Sequence, residues 1–282
     1  MTAHWARVIR HAPLAALLII AAMILMAAGA DLLAPHSPIA VRMELALRPP
    51  WFMAGGQHAY PLGTDALGRD VLSRLMYGGR ASLLVALISI SVSTVVGTGF
   101  GLVAGYAGGW VDTVIMRAVD VVLTLPVILL ALIFVVIAGP SLWVVTAILT
   151  LVLWSRFARL VRGEALAWKH REFVQYARGA GSTPLRIMCV HVLPNLLNSV
   201  VVLATLQVGF AIVVEASLSF LGAGAPPPSP TWGGMIAAGR TYMETAWWLV
   251  LFPGTAIVLT VLSFNLFGDW LRDVLDPTIQ QL

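Results

Sequence analysis

Residues 83–106 read LLVALISISVSTVVGTGFGLVAGY, a long apolar run without a charged side chain. A transmembrane helix needs about 20 mostly apolar residues to cross roughly 30 Å of hydrocarbon, so this run predicts a membrane-spanning helix. Further stretches of the same kind lie at residues 14–33, 114–138, 143–161, 192–221 and 247–267. The sequence therefore predicts an all-α polytopic membrane protein with six transmembrane helices.

Composition supports this class and excludes several others. The chain has 282 residues, of which 59% are hydrophobic and 11% are charged, and its mean hydropathy is +0.90. A net charge of +4, spread along the chain, does not predict a nucleic-acid surface. Cys189 is the single cysteine, so neither an intrachain disulfide nor a cysteine metal cage is expected. The single lysine, Lys169, is followed by His170, which excludes a Gly-Lys-Ser/Thr phosphate-binding loop and ATP hydrolysis by that route.

The first apolar stretch has two interpretations. Arg7 and Arg10 form a basic start, and Ala28-Gly29-Ala30 has the small-residue form of a signal-peptide cleavage site. The apolar run over residues 14–30 is longer than the ~7–15 residues usual in a signal peptide, which favours an uncleaved helix. Most of the 17 Lys and Arg residues then fall in loops that share one side with the N-terminus, above all between the fourth and fifth spans. This bias predicts cytoplasmic N- and C-termini.

Small and ionisable residues inside the spans are candidates for function. Gly97, Gly101, Gly105 and Gly109 recur every four residues, which predicts one helix face that either packs tightly or forms a pathway wall or moving interface. Glu215, close to Ser217, lies deep in the fifth predicted span, where a carboxylate either pairs with another helix or serves gating or substrate contact. Arg117 and Asp120 are three residues apart, and this spacing predicts an ion pair on one helix face.

The segment 162–191 is too long and too regular for a simple connector. Its pattern predicts a helix over residues 162–176, a break at Gly179 and Gly181, and a new helix capped by Ser182-Thr183-Pro184. Such a hairpin offers a rigid knob to a partner protein. An amphipathic hairpin lying on lipid headgroups fits the composition equally well.

A family resemblance enters at this segment. Gln175-Tyr176-Ala177, Gly181 four residues later and Leu193-Pro194 resemble the EAA motif of ATP-binding-cassette (ABC) importer permeases: Glu-Ala-Ala, three residues, Gly, nine residues, Ile, any residue, Leu-Pro. This chain departs from the motif at Gln175, Tyr176 and His191, which stand for Glu, Ala and Ile.

Three further segments resemble the C-type subunit of the dipeptide/oligopeptide/nickel permeases. They are Pro61-Leu62-Gly63-Thr64-Asp65-Ala66-Leu67-Gly68-Arg69-Asp70, continuing to Arg74; Glu215-Ala216-Ser217-Leu218-Ser219-Phe220-Leu221-Gly222, followed by prolines and Thr231-Trp232-Gly233; and Asn265-Leu266-Phe267-Gly268-Asp269-Trp270, closing at Asp276-Pro277. The resemblance covers nearly the whole chain from about residue 60.

The resemblance implies a type I ABC importer permease (MetI-like) fold in a bacterial inner membrane. It divides the chain into residues 1–81, an N-terminal helix with a Pro-rich periplasmic segment, and residues 82–282, a five-helix permease domain with a coupling loop at 162–191. The implied partners are a second homologous permease, two ABC ATPase subunits that bind ATP and Mg²⁺, a periplasmic or lipid-anchored substrate-binding protein and membrane lipid. No cofactor or metal is expected in this chain, which would not itself be an enzyme.

The resemblance also assigns candidate site residues and a substrate class. The ATPase-coupling residues are Gln175, Tyr176, Ala177, Arg178, Gly181, Ser182, Leu193 and Pro194, and the pathway or gating candidates are Glu215, Ser217, Gly97, Gly101 and Gly105. The favoured substrates are dipeptides or oligopeptides, with nickel chelates or glutathione as alternatives. Two other classes stay open, an ion-coupled secondary transporter and a non-transporting membrane scaffold.

Overall fold

The structure is a computed structural model that describes residues 13–275. Arg7, Arg10 and the closing Asp276-Pro277 lie outside the described residues. The described part contains ten helices: α1 (Leu14–Ala28), α2 (Ala30–Leu33), α3 (Val71–Ala107), α4 (Gly109–Thr124), α5 (Val127–Ala138), α6 (Leu142–Lys169), α7 (Glu172–Gly179), α8 (Pro184–Phe220), α9 (Trp232–Gly239) and α10 (Trp248–Leu275). Between residues 13 and 275 the backbone forms no strand beyond one isolated bridge, Thr64 to Asp70, so the all-α prediction is confirmed.

Helices occupy all six predicted spans, but they are not six equivalent crossings. The helices α3, α6, α8 and α10 are each long and apolar enough to cross a membrane. The pair α4 and α5 meets the same test only when taken together, and the two helices are bent by 88° relative to each other. The apolar helix α1 has 15 residues, fewer than the about 20 that a straight crossing needs.

The prediction of one continuous helix over residues 114–138 is wrong at Pro126. Proline lacks the backbone N–H of a helical residue and disfavours the helical region for the residue before it. Leu125 accordingly adopts an extended conformation with ψ 131°, which ends α4, and α5 restarts at Val127.

The helix α3 begins at Val71 rather than at residue 83. The Asp70 carboxylate caps it by accepting hydrogen bonds from the Ser73 N–H at 2.9 Å and the Ser73 hydroxyl at 2.5 Å. The helix then runs unbroken through the predicted division between residues 81 and 82. The predicted division therefore falls inside a continuous helix.

The core lies where α3 packs against α6 along three of the four glycines of the predicted stripe. A Cβ atom on Gly97 would lie 2.4 Å from the Trp154 carbonyl oxygen, and one on Gly101 would lie 2.5 Å from the Ala158 carbonyl oxygen. A Cβ on Gly105 would lie 2.7 Å from the Ala165 Cβ. The structure therefore shows these glycines in close helix packing rather than on an open wall. Gly109 is not part of the stripe, because α3 ends before it.

The segment between α2 and α3 folds over the end of the bundle that carries α9. The Trp248 indole donates to the Thr64 carbonyl at 3.2 Å, and the Trp232 indole donates to the Leu75 carbonyl at 3.0 Å. The Arg74 guanidinium donates to the Pro38 carbonyl at 2.9 Å. These contacts place Trp232 of the motif segment 215–233 against the residue directly after the end of the motif segment 61–74, at what we call the distal end. The opposite end, where α6 ends and α8 begins, is the loop end.

Candidate functional site

The segment 162–191 folds differently from its prediction at its first half. The helix predicted over residues 162–176 is wrong, because residues 162–169 complete α6 and the chain turns at His170 before α7. No Gly or Pro marks this turn. Tertiary contacts hold it instead: the Phe173 ring lies 6.0 Å from the Trp168 ring and 6.5 Å from the His191 ring. The Gln175 amide also donates to the Lys169 carbonyl at 3.1 Å.

The end of α7 is a Schellman turn around Gly181. The Ser182 N–H donates to the Ala177 carbonyl at 3.1 Å, and the Gly181 N–H donates to the Arg178 carbonyl at 3.0 Å. Gly181 has φ +81°, in the left-handed region that glycine enters without a steric penalty. A Cβ atom at Gly181 would meet nothing within 4 Å, so the backbone conformation alone explains the glycine. The turn predicted at this position is present.

The next helix starts as predicted and then changes its hydrogen-bond spacing. The Thr183 hydroxyl caps α8 by accepting from the Arg186 N–H at 3.4 Å. Residues Ile187–Val192 form a π-helical turn, and the Leu193 N–H bonds to the Met188 carbonyl five residues earlier. Pro194 follows directly. Since proline inside a helix removes a hydrogen bond and clashes with the preceding turn, the wider π turn accommodates it.

The helix α7 buries one side and presents the other to solvent. Val174 is fully buried, and Ala177 and Ser182 are half-buried. Tyr176 is 75% exposed, and the remaining predicted coupling residues of this segment, Gln175, Arg178 and Gly181, are exposed as well. Leu193 is half-buried and Pro194 exposed within α8.

The exposed side of this segment combines apolar and basic groups. We call it the loop surface; it consists of Arg171, Tyr176, Arg178, Leu185 and Arg186, all exposed. Leu185 is 67% exposed. Within residues 13–275 none of its three arginines forms an ion pair; the Arg178 guanidinium instead lies 5.7 Å from the Tyr106 ring centre. Such a surface can receive a partner that offers carboxylates and an apolar groove.

Glu215 is completely buried between α8 and α3. One of its carboxylate oxygens accepts a hydrogen bond from the Ser82 hydroxyl at 2.6 Å, and the other accepts from the Ser219 hydroxyl at 2.6 Å. The structure places this group in a helix-to-helix contact, as the pairing alternative predicts. Ser217 points elsewhere: it is half-exposed, donates to the Val213 carbonyl at 2.8 Å and lines an open groove with Phe220 and Ile257.

The predicted ion pair between Arg117 and Asp120 is wrong. Asp120 pairs with Arg159 of α6 at 2.6 Å. One further ion pair joins the same two helices, between Asp112 and Arg162 at 2.6 Å. Asp112 and Asp120 lie two helical turns apart on one face of α4, where they face Arg162 and Arg159 of α6. The pairing is therefore between two helices, whereas the spacing rule considers only residues within one helix.

The described residues offer no metal site. Between residues 13 and 275, no three His, Cys, Asp or Glu side chains lie together in a way that could hold a metal ion. The candidate site consists of the exposed loop surface at the loop end and the buried Glu215 carboxylate between the spans.

Comparison with known proteins identifies a family and close relatives of this chain. Residues 97–281 match the family described as the binding-protein-dependent transport system inner membrane component. The chain is 42% identical over 267 residues to the di/tripeptide transport system permease protein DppC of Pseudomonas aeruginosa, covering 95% of this chain and 88% of that protein. It is 44% identical over 226 residues to the glutathione transport system permease protein GsiD of Pectobacterium atrosepticum, covering 80% and 75%.

A solved structure has the same fold. A chain from inward-facing conformations of the MetNI methionine ABC transporter superposes with a TM-score of 0.59 at 20% identity, covering 72% of this chain and 96% of that chain. The fold predicted from the resemblance is thereby confirmed. Together, the family match and the high identity over nearly the full length show that the chain belongs to the binding-protein-dependent transport system inner membrane components, the multi-pass inner-membrane permeases of ABC importers, as a C-type subunit.

Proposed function

We propose that this permease forms half of the translocation pathway for short peptides in an ATP-driven importer. The observation that carries the proposal is the 42% identity over 95% of the chain to a permease named for di- and tripeptide transport. Permeases of one family that share this much sequence along their whole length keep the same helices around the pathway. The favoured cargo is therefore a dipeptide or tripeptide.

The loop surface is the proposed docking site for an ATPase subunit. The chain contains no phosphate-binding loop, so energy from ATP must enter through a partner. In this proposal two ABC ATPases bind ATP and Mg²⁺, and this chain binds neither. Tyr176 is exposed, and Arg178 forms no ion pair within residues 13–275, so both suit an apolar groove edged by carboxylates. The Schellman turn at Gly181 fixes the shape of the exposed hairpin.

The bend between α4 and α5 supports a second permease as partner. Irregular backbone at membrane depth is tolerated only where protein covers it or where it lines a water-filled cavity. Leu125, at the bend, is 45% exposed in this chain, and Val136 and Ile137 near the end of α5 are 85% and 79% exposed. A second, homologous permease would cover this surface and complete the pathway between the two subunits, and lipid would cover the outer helices.

Transport would follow from alternation between two packed arrangements. ATP binding draws the ATPases together, the two docking loops follow, and the permease helices change from inward-facing to outward-facing. A periplasmic or lipid-anchored binding protein then releases its cargo into the pathway at the distal end. Such a cycle requires that the nucleotide and the cargo each favour one of the two states.

Glutathione is the second candidate cargo. The 44% identity to a glutathione permease favours it specifically, and glutathione is itself a tripeptide derivative with free carboxylates. A pathway for glutathione would therefore need the same kinds of polar contacts as a pathway for dipeptides or tripeptides.

Reconstitution tests the proposal. The complete complex is placed in proteoliposomes with ATP on the ATPase side, and uptake of labelled dipeptide, tripeptide and glutathione is measured with and without the binding protein. We expect uptake of dipeptide or tripeptide that requires both ATP and the binding protein. Uptake driven by a proton gradient without ATP would contradict the proposal in favour of an ion-coupled transporter, and absence of any uptake would favour a scaffold.

A further inference from the structure

Three arginines follow one another along α6, and one of them differs from the other two. Arg159 and Arg162 each pair with an aspartate of α4 at 2.6 Å. Arg156 has no such partner: within residues 13–275 no carboxylate lies within ion-pair distance of it. It is also the arginine closest to the middle of the span. A cation inside a membrane span is costly and normally faces a counter-charge or a water-filled cavity.

The surroundings of Arg156 hold it in place without neutralising it. Its guanidinium donates one hydrogen bond to the Gln207 side-chain oxygen at 2.9 Å and lies 3.9 Å from the centre of the Phe210 ring. A guanidinium has five N–H donors in a planar fork that matches a carboxylate. The described contacts use one donor and one face of the plane. We call Arg156, Gln207 and Phe210 the Arg156 cluster.

The cluster lies just beyond the inner end of an open cleft, one helical turn past the lining residues of α6 and next to those of α8. One wall of the cleft is the side of α6 that carries Leu160, Glu164 and Trp168, beginning one helical turn from Arg156. The opposite wall is α8, and it reaches Leu206, the neighbour of Gln207. The remaining lining residues continue to the loop end: Pro194, Asn195, Asn198, Ser199, Val202, Leu203, Arg272 and Leu275.

The cleft itself is lined by one acidic side chain, Glu164, and by one further basic side chain, Arg272. Glu164 lies eight residues after Arg156, about 12 Å along the helix axis at 1.5 Å per residue. Within residues 13–275 Glu164 forms no ion pair. A cation and an anion at this separation complement a zwitterion of similar length, and an extended tripeptide spans about 10 Å.

We propose that the Arg156 cluster binds the C-terminal carboxylate of a short peptide at the inner end of this cleft, with Glu164 facing the peptide's ammonium group. The inference rests on the proposed peptide transport and adds a substrate-binding site within the permease. The shared chemistry is an oxyanion on Arg156, and a lipid phosphate is the other possible source of that oxyanion. The zwitterionic pattern of the cleft favours the peptide.

The test uses the detergent-purified complete complex without nucleotide or binding protein, so that labelling reports the permease rather than delivery by the binding protein. The tripeptide alanyl-alanyl-photoleucine is photo-crosslinked to the complex, and labelled peptides of this chain are mapped by mass spectrometry. We expect labelling of α6 and α8 near the Arg156 cluster. Unlabelled alanyl-alanyl-leucine competes with it. The corresponding C-terminal amide lacks the carboxylate and competes at least about tenfold less well, because a hydrogen bond to a charged group is lost.

Two variants and a control complete the test. Arg156→Gln removes the cation, and Gln207→Glu leaves Arg156 in place but gives it a permanent counter-ion of nearly the same shape, so this second variant is informative even if the first fails to assemble. Both are expected to lower labelling about tenfold or more. Arg159→Gln removes a neighbouring arginine that faces α4, and it is expected to leave labelling unchanged.

The alternative outcomes are distinct. Equal labelling in wild type and Gln207→Glu, or equal competition by the amide, would overturn the inference. So would Arg156-dependent retention of phospholipid in native mass spectrometry without peptide labelling, which would assign the oxyanion to lipid. If wild-type proteoliposomes take up peptide while this labelling is absent, the inference alone fails; if they take up no peptide, the proposed function fails.

Discussion

Gly181 shows how one residue shapes the docking surface. Its left-handed backbone closes the Schellman turn between α7 and α8, and no neighbouring atom otherwise restricts the position. A β-branched residue in that conformation costs about 1–2 kcal/mol. The turn would therefore relax and move the loop surface, while the spans, which do not contact this position, would stay folded.

We accordingly expect Gly181→Val to uncouple ATP hydrolysis from peptide uptake, with normal amounts of permease in the membrane. Gly179→Ala is the matched control, because Gly179 is helical and a Cβ there also meets nothing within 4 Å. Asparagine tolerates the left-handed region, so Gly181→Asn should retain more coupling than Gly181→Val. Uptake per ATP hydrolysed in proteoliposomes measures all three, and normal coupling in Gly181→Val would contradict the assignment.

The two serine partners of Glu215 explain why a carboxylate is buried between the helices, without a direct role in transport. Glu215→Gln keeps the shape and one acceptor, so we expect near-normal uptake. Glu215→Ala leaves a void and frees two buried hydroxyls, and it should lower the free energy of unfolding by about 1–3 kcal/mol. Thermal midpoints in detergent test this, with Ser217→Ala as a near-neutral control. A stable Glu215→Gln permease without transport would instead indicate gating or substrate contact.

At the scale of elements, the contact between α3 and α6 is set by glycines. A Cβ on Gly101 would approach the Ala158 carbonyl oxygen to 2.5 Å, which forces the two helices apart. Gly99 lies on the same helix two residues earlier, and a Cβ there meets nothing within 4 Å. The two positions therefore separate helix packing from helix propensity.

We expect Gly101→Ala to destabilise the permease by about 1–3 kcal/mol, the usual cost of inserting a carbon into a filled interface. Gly99→Ala should be neutral or slightly stabilising, since alanine favours a helix over glycine. The thermal midpoint of the purified protein measures both. Equal midpoints for the two variants would show that the close contact of α3 with α6 does not exist in the folded protein.

Elements also show what hydropathy can and cannot predict. The runs 83–106 and 143–161 are apolar enough to reveal α3 and α6 directly. The start of α3 at Val71 was missed because Arg74 and Arg80 interrupt the apolar pattern. Their charges are satisfied by partners distant in sequence, including the Pro38 carbonyl and Asp31. The turn at His170 was missed because it contains neither Gly nor Pro, and contacts between aromatic rings hold it instead.

For the whole molecule, the orientation in the membrane decides which end faces the ATPase subunits. Charge bias predicts that the loop end faces the cytoplasm, and Cys189, the single cysteine, is exposed in α8 near that end. A membrane-impermeant maleimide should therefore label Cys189 in inside-out vesicles and not in intact spheroplasts. Cys189→Ser is the control for specificity. Labelling from the outside would reverse the topology and remove the loop surface from the ATPase side.

The subunit composition of the native complex decides whether this permease works with ATPase partners. Extracting the tagged chain from its native membrane in mild detergent, followed by mass spectrometry of the intact complex, measures this directly. We expect one copy of this chain, one homologous permease and two ATPase subunits with phosphate-binding loops. Recovery of the chain alone, or as a homo-oligomer without any ATPase, would show that ATP hydrolysed by partners does not drive transport through this subunit.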